Sequence, residues 1–297
     1  MSADAVLYDH PGPKAKIRNA VLTGVFGLAA LALVYWIYRK FDEKGQWAAA
    51  LWKPFTESST WMDYLLPGLW ATLSAAAVAM VLSLVFGIVF SIGRLSDHWW
   101  LSVPCGIVVE FFRAVPLLLL MFFIFYGIPF ITDSPMPPFW AVVAGLTLYN
   151  GSVLAEAFRA GIRSVPRGQS EAGYAIGMRK SQVMQEILVP QAARAMLPVI
   201  VSQLVVLVKD TALGYIIGYS ELLQSANTLA ANFGNIVAAA IVAAILYIVV
   251  NASLTSFAGW LERRTRRQGK APRVKGGPVL AGTVQTGDAG GGVANVG

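Results

Sequence analysis

The chain is short of almost every residue type on which side-chain chemistry rests. It has one cysteine, Cys105, so no intrachain disulfide can form. Alone in an apolar stretch, Cys105 reads as a small buried residue. The two histidines, His10 and His98, stand far apart, and no His/Cys group has metal-ligand spacing. There is no Gly-x-x-x-x-Gly-Lys-Ser/Thr loop to cradle a nucleotide phosphate and no Gly-x-Ser-x-Gly elbow for a nucleophilic serine. Charge is scarce as well: 13% of residues are Asp, Glu, Lys or Arg, against about 25% in a soluble domain. A membrane-bound enzyme would need a reactive cluster, and the sequence offers none.

What the chain has in excess is apolar residues, 56% of 297, with a mean hydropathy of +0.60. They fall into long runs. A bilayer core about 30 Å thick needs about 20 apolar residues in a spanning helix, and several runs reach that length. The short alternating segments of a membrane β-barrel are absent. The expectation is an all-α integral membrane protein. Residues 1–19 form a polar N-terminal segment and 20–38 a first spanning helix. That run is too long for a signal-peptide core, and no small-residue cleavage site follows it. Residues 39–65 form a loop with Trp47, Trp52 and Trp61, which suit a membrane–water interface. The main transmembrane domain covers 66–258, with spans expected at about 66–93, 104–128, 139–158, 196–217 and 235–258. A large basic loop occupies 159–195. The tail, 259–297, is first basic and then rich in Gly, Ala and Val, with disorder expected from about Gly276.

Six spans put both termini on one side, and the basic residues test this. One side collects Lys14, Lys16 and Arg18, then Arg94, six residues of the large loop and seven of the tail. The other collects Arg39, Lys40, Lys44 and Lys53. Seventeen against four places the termini and the large loop in the cytoplasm. Sidedness also accounts for the net charge of +7 without nucleic acid as a partner.

The most informative stretch lies inside that loop, from Glu171 to Pro190. Pro166 can open a helix but not sit inside one, so a short helix is predicted over 166–176. Gly177 suits the left-handed residue that stops it. Ser181 can cap a second helix, which Pro190 would end. Ala172, Gly173, Ala175 and Gly177 are small and let another protein approach the backbone closely. The alternative reading of the same residues is an amphipathic interfacial loop that only caps the bundle.

Glu171, Ala172, Gly177, Ile187 and Pro190 stand at the spacing of the EAA loop of ABC-importer permeases, which this segment resembles. Gly173 and Val189 depart from it by small or apolar exchanges. Three further stretches, Val108 to Pro129, Tyr149 to Gly173 and Leu197 to Gly214, are similar to the branch that imports polar amino acids. The likeness runs from about Leu66 to Ala258. It implies a type I ABC importer permease bundle, with a five-helix core plus one extra N-terminal transmembrane helix, in a bacterial plasma membrane. It implies a coupling helix seated in a groove of a cytoplasmic ATPase, with ATP and Mg on that partner and no cofactor on this chain. It further implies a second permease subunit, either a sister chain or a copy of itself, and an extracytoplasmic substrate-binding protein. The substrates implied are glutamate, glutamine or aspartate. Glu171, beside Arg167, either accepts hydrogen bonds across the joint or pairs locally. The alternative, a self-sufficient secondary transporter, would show inverted repeats with broken helices, and no internal repeat is visible.

Charges at membrane depth cost about 2.5–3.5 kcal/mol each on insertion scales, so those retained are candidates for function. Asn150, Glu156, Lys209, Asp210 and Arg113 are the candidate substrate path. Glu156 and Arg159, like Glu110 and Arg113, are three apart and can neutralise each other. Lys209 and Asp210 are adjacent, so they have separate partners or bracket a helix break. Basic side chains from Arg263 to Arg267 suit either anionic lipid of the membrane or a plain positive-inside anchor. If Lys209 serves as counter-ion for an acidic substrate, Lys209→Met abolishes uptake while leaving the protein at normal levels in the membrane; uptake by membrane vesicles measures the first and immunoblotting the second.

Overall fold

The computed structural model describes residues 12–268, and among them every regular element is helical. Apart from short turns at Ala49–Trp52 and Lys53–Thr56, these are, in chain order, α1 (Pro13–Glu43), α2 (Ser58–Arg94), α3 (Trp99–Ala114), α4 (Leu117–Thr132), α5 (Pro138–Arg163), α6 (Arg167–Ala175), α7 (Lys180–Ile217), α8 (Leu222–Phe233) and α9 (Ile236–Gln268). Five of them are long and apolar enough to cross a membrane, and the bent pair α3–α4 makes a sixth if counted as one span. The disorder expected beyond Gly276 lies outside the described residues.

Proline decides most of the differences from the expected boundaries. The span expected at 104–128 is broken: Val115 and Pro116 are extended and the two halves meet at 101°. Proline crowds the residue before it out of the helical region, and here the chain yields. Elsewhere it does not. Pro67, Pro129 and Pro190 each follow, by two residues, a widened π-turn at Trp61–Leu65, Phe123–Gly127 and Val183–Leu188. A π-turn moves the preceding carbonyls outward and so relieves the clash that proline makes with the previous turn. The helices therefore continue. Pro190 does not end the second helix of the basic loop, which runs on as α7 through the fifth span. Pro129 lies within α4 rather than opening a turn.

The core forms where α2 crosses α5. Ala75, Ala76, Ala79, Ser83 and Gly87 make one inward stripe on α2, and Ala141, Val142, Leu146 and Leu154 face them or their neighbours on α5. Small residues allow the close approach that van der Waals packing needs in lipid. A Cβ on Gly87 would lie 2.9 Å from Leu154 Cβ. Gly214 similarly admits Val142, whose Cγ2 would be 2.7 Å from a Cβ there, as expected of a small residue near the end of the fifth span.

The first helix stands apart. No residue of α1 is buried, and its attachment is aromatic. Tyr38, Trp47, Trp52 and Phe55 follow one another with ring centroids 5.5, 6.2 and 6.3 Å apart. Trp47 and Trp52 donate their indole N–H groups to the Tyr38 and Gln46 carbonyls, each at 3.2 Å. The tryptophans expected at an interface are thus also the hinge between α1 and the bundle.

The segment between the fifth and sixth spans, 218–234, expected as a loop whose one charge is Glu221, contains α8. Glu221 caps it, accepting from the Leu223 and Gln224 N–H groups at 2.9 and 2.8 Å and from the Tyr247 hydroxyl at 2.6 Å. Burial pushes its carboxyl above the usual range, while these donors draw it back. Thr72 accepts from the Leu222 N–H at 3.1 Å, so α8 is pinned to both α2 and α9. Glu221→Ala should cost about 2–4 kcal/mol, combining a lost cap with a stranded buried hydroxyl. The check is a lower midpoint of thermal unfolding in detergent, with Tyr247→Phe showing a smaller drop.

Candidate functional site

The basic loop folds into a closed corner. Gly177 takes φ +83°, which costs glycine alone nothing. Its N–H donates to the Tyr174 carbonyl at 2.9 Å, and the Met178 N–H to the Gly173 carbonyl at 3.1 Å. These paired bonds are a Schellman stop, as Gly177 predicts. The cap of the next helix differs from expectation. Arg179, not Ser181, is the N-cap residue, and its N–H donates to Gln182 Oε1 at 2.8 Å.

The small residues of the loop divide into two faces. Gly173 is buried, and a Cβ there would lie 2.9 Å from Ile187 Cδ1 and from Val183 Cγ2. Gly173 and half-buried Ile187 therefore lock α6 onto α7 rather than meet a partner. Glu171, Ala172, Ala175, Gly177 and Pro190 are exposed. Glu171 makes no ion pair among the described residues, so the local pairing with Arg167 does not form. The same face presents Tyr174 and Ile176, 49% and 79% exposed. Sequence reading passed over both, although an apolar residue on the outer face of a polar loop is the usual mark of a contact.

Beside the loop, Lys180 reaches back to the turn between α2 and α3. Its ammonium donates to the Leu95 carbonyl at 3.2 Å and pairs with Asp97 at 2.5 Å. One residue earlier, Arg94 gathers charges from three helices. Its Nη2 donates to Glu110 of α3 at 3.2 Å, and Glu156 of α5 lies 3.0 Å from Nη1, balancing its charge without hydrogen-bond alignment. Arg113 is 3.5 Å from Glu110, and Arg159 grips Glu156 through two nitrogens. Both expected i,i+3 pairs form, and Arg94 joins them into one cluster. Gly93 makes that possible, because a Cβ there would collide with Cys105 and hold α3 away. Cys105 is half-buried at this crossing rather than fully buried. The cluster borders an open cavity of about 740 Å³.

The five residues of the expected path do not share one site. Glu156 and Arg113 belong to the charged cluster. Asn150 is buried, donates to the Leu146 carbonyl at 3.1 Å, and accepts from Gln203 of α7. It ties two helices together, and Gln203 was invisible to sequence reasoning because glutamine in a span has no period to betray it. Lys209 and Asp210 are the last α-helical residues of α7, where it tightens into a 3₁₀ stretch at Thr211–Ile217. From the Asn150–Gln203 contact, Glu156 and Lys209 lie six residues off in opposite directions, about 9 Å each way at 1.5 Å per residue.

The fold is a membrane-spanning helical bundle that carries an exposed corner between α5 and α7. Residues 83–267 match the family described as binding-protein-dependent transport system inner membrane component, and the chain belongs to that family. The glutamate transport system permease protein GluD of Corynebacterium glutamicum is 46% identical over 224 residues, 75% of this chain and 82% of that one. The glutamate/aspartate import permease protein GltK of Escherichia coli is 31% identical over 211 residues, 69% and 94% of the two chains. Among solved structures, an amino acid ABC transporter crystallised with histidines superposes with a TM-score of 0.64 at 26% identity, covering 67% of this chain and 92% of that one. The MetNI methionine transporter, at 19% identity and a TM-score of 0.60 over 70% of this chain and 99% of that one, shares the fold. The chain is a multi-pass ABC importer permease of the amino-acid type, a transport subunit and not an enzyme.

Arg94→Met removes the link between α3 and α5. We expect Cys105, packed against Gly93, to react about tenfold faster with a membrane-permeant maleimide, the effect of losing about 1.4 kcal/mol of local stability. Mass spectrometry of the single labelled cysteine measures the rate.

Proposed function

We propose that this chain forms the translocation path of an importer for acidic amino acids or glutamine and is driven by a separate ATPase docked on the exposed face of α6. The observation that carries the reading is the corner itself. Gly173 locks α6 to the root of α7, and Glu171, Ala172, Tyr174 and Ile176 face outward. A rigid joint with an exposed apolar and acidic face is what transmission of force from another protein requires. The basic residues at this end support a cytoplasmic position, where ATP and Mg would be held by the ATPase.

The identity to permeases named for glutamate and aspartate supports the substrate class. An acidic amino acid needs cationic partners away from water. Arg113 and Lys209, at different depths, can meet it in sequence. Asn150 and Asp210 act by shaping the helices around that route, and Glu156 by holding Arg94 and Arg159 in place. An extracytoplasmic binding protein delivers the substrate, and a second permease subunit, sister or self, completes the path.

The test is affinity purification of the tagged chain from its native membranes. We expect an ATPase and a permease partner to be recovered with it. Ile176→Glu, at an exposed position, should lower ATPase recovery about tenfold or more, as expected when a charge enters a packed contact core, while permease pairing persists. Purified chain that moves glutamate along an ion gradient with no ATPase would overturn the reading in favour of a secondary transporter.

A further inference from the structure

We propose that the cavity where α2, α3 and α5 meet at the end of the bundle near α6 is a binding site for the headgroup of an anionic glycerophospholipid. Its polar wall is basic: Arg94, Arg159 and Arg163 line it, with Glu110. Arg113 adjoins this wall through Glu110, and Glu156 through Arg94 and Arg159. Together these side chains carry four positive and two negative charges. Arg163 is exposed and takes part in no ion pair among the described residues, so the surplus has no counterpart within the bundle. A phosphodiester, a monoanion, offsets half of it.

The other wall belongs to α3 and is apolar. Val103, Ile107 and Phe111 recur every four residues along one line and are 50%, 65% and 57% exposed. That line runs beside the basic wall, with Phe111 next in sequence to Glu110. Trp99 and Trp100, 76% and 61% exposed at the start of α3, mark the depth at which amphipathic rings and headgroups lie. Inorganic phosphate or a free amino acid would use the arginines and leave the apolar line uncovered. An anionic phospholipid satisfies both walls, and basic pockets between spanning helices are the recognised setting for such headgroups.

The experiment uses the purified permease complex with Arg263, Arg264, Arg266 and Arg267 changed to Gln, which removes the tail as a competing lipid contact. The complex is delipidated and titrated with phosphatidylglycerol or phosphatidylcholine, and retained lipid is counted by native mass spectrometry. Phosphatidylglycerol should be retained in preference. Arg163→Glu should lower its retention at least about fivefold, the weight of one basic side chain at an anionic surface, with phosphatidylcholine unchanged and Arg163→Lys close to the starting protein. Equal retention of the two lipids overturns the proposal, as does an Arg163→Glu protein that holds phosphatidylglycerol normally. Displacement of the lipid by millimolar inorganic phosphate or by glutamate would also overturn it and assign the cavity to a soluble anion.

Discussion

A backbone amide or carbonyl inside hydrocarbon has no water to turn to, so every residue at membrane depth must find its partner within the protein. That constraint governs how this chain treats its prolines. In α2, α4 and α7 the helix widens for one turn and carries on past Pro67, Pro129 and Pro190. Only before Pro116 does it give way, and there the two halves turn through 101°. The architecture follows from these four choices. The break at Pro116 makes a bent pair of what would be one span. The continuation at Pro190 fuses the α6 corner to the fifth span as one continuous element.

Close approach is the second requirement, and glycine supplies it at positions that serve different ends. Gly87 brings α2 and α5 together in the core, Gly93 brings α3 near enough for Glu110 to reach Arg94, and Gly173 seats α6 on α7. Lipid rewards such contacts because apolar area alone does not favour one helix neighbour over hydrocarbon. Polar ties then fix the register: Gln203 to Asn150 at mid-depth, Tyr247 to Glu221 under α8, Lys180 to the end of α2.

What could be read from the sequence was whatever depends on neighbours along the chain. Spanning lengths follow from local hydropathy, the stop at Gly177 from the left-handed backbone that only glycine takes freely, and the Glu156–Arg159 pair from helical spacing. The fate of a proline is not local. Pro116 and Pro190 look alike in sequence, and packing decides which one breaks its helix. The cluster around Arg94 draws on side chains 16 and 62 positions away, a juxtaposition that no periodicity encodes. Gly173 looked like a harmless departure from a small-residue pattern, yet the structure buries it in close contact with Val183 and Ile187. Helix α8 was missed because its cap is a buried glutamate that only tertiary partners make tolerable.

The union of α6 and α7 has a mechanical meaning. Counted from Lys180 to Ile217, α7 has 38 residues, about 57 Å if helical throughout. With α6 fixed at its root, the pair forms a crank with a short handle and a long shaft. If a partner docks on α6 as proposed, a tilt of about 10° at the handle, carried along a rod of this length, sweeps the far end through about 10 Å, the scale of a passage for an amino acid. The compliant points on the shaft, the widened turn at Val183–Leu188 and Pro198 farther along, set how much of that sweep survives the journey. Stiffness along α7, rather than the strength of any one contact, would then determine how faithfully a push at one membrane face becomes a gate at the other.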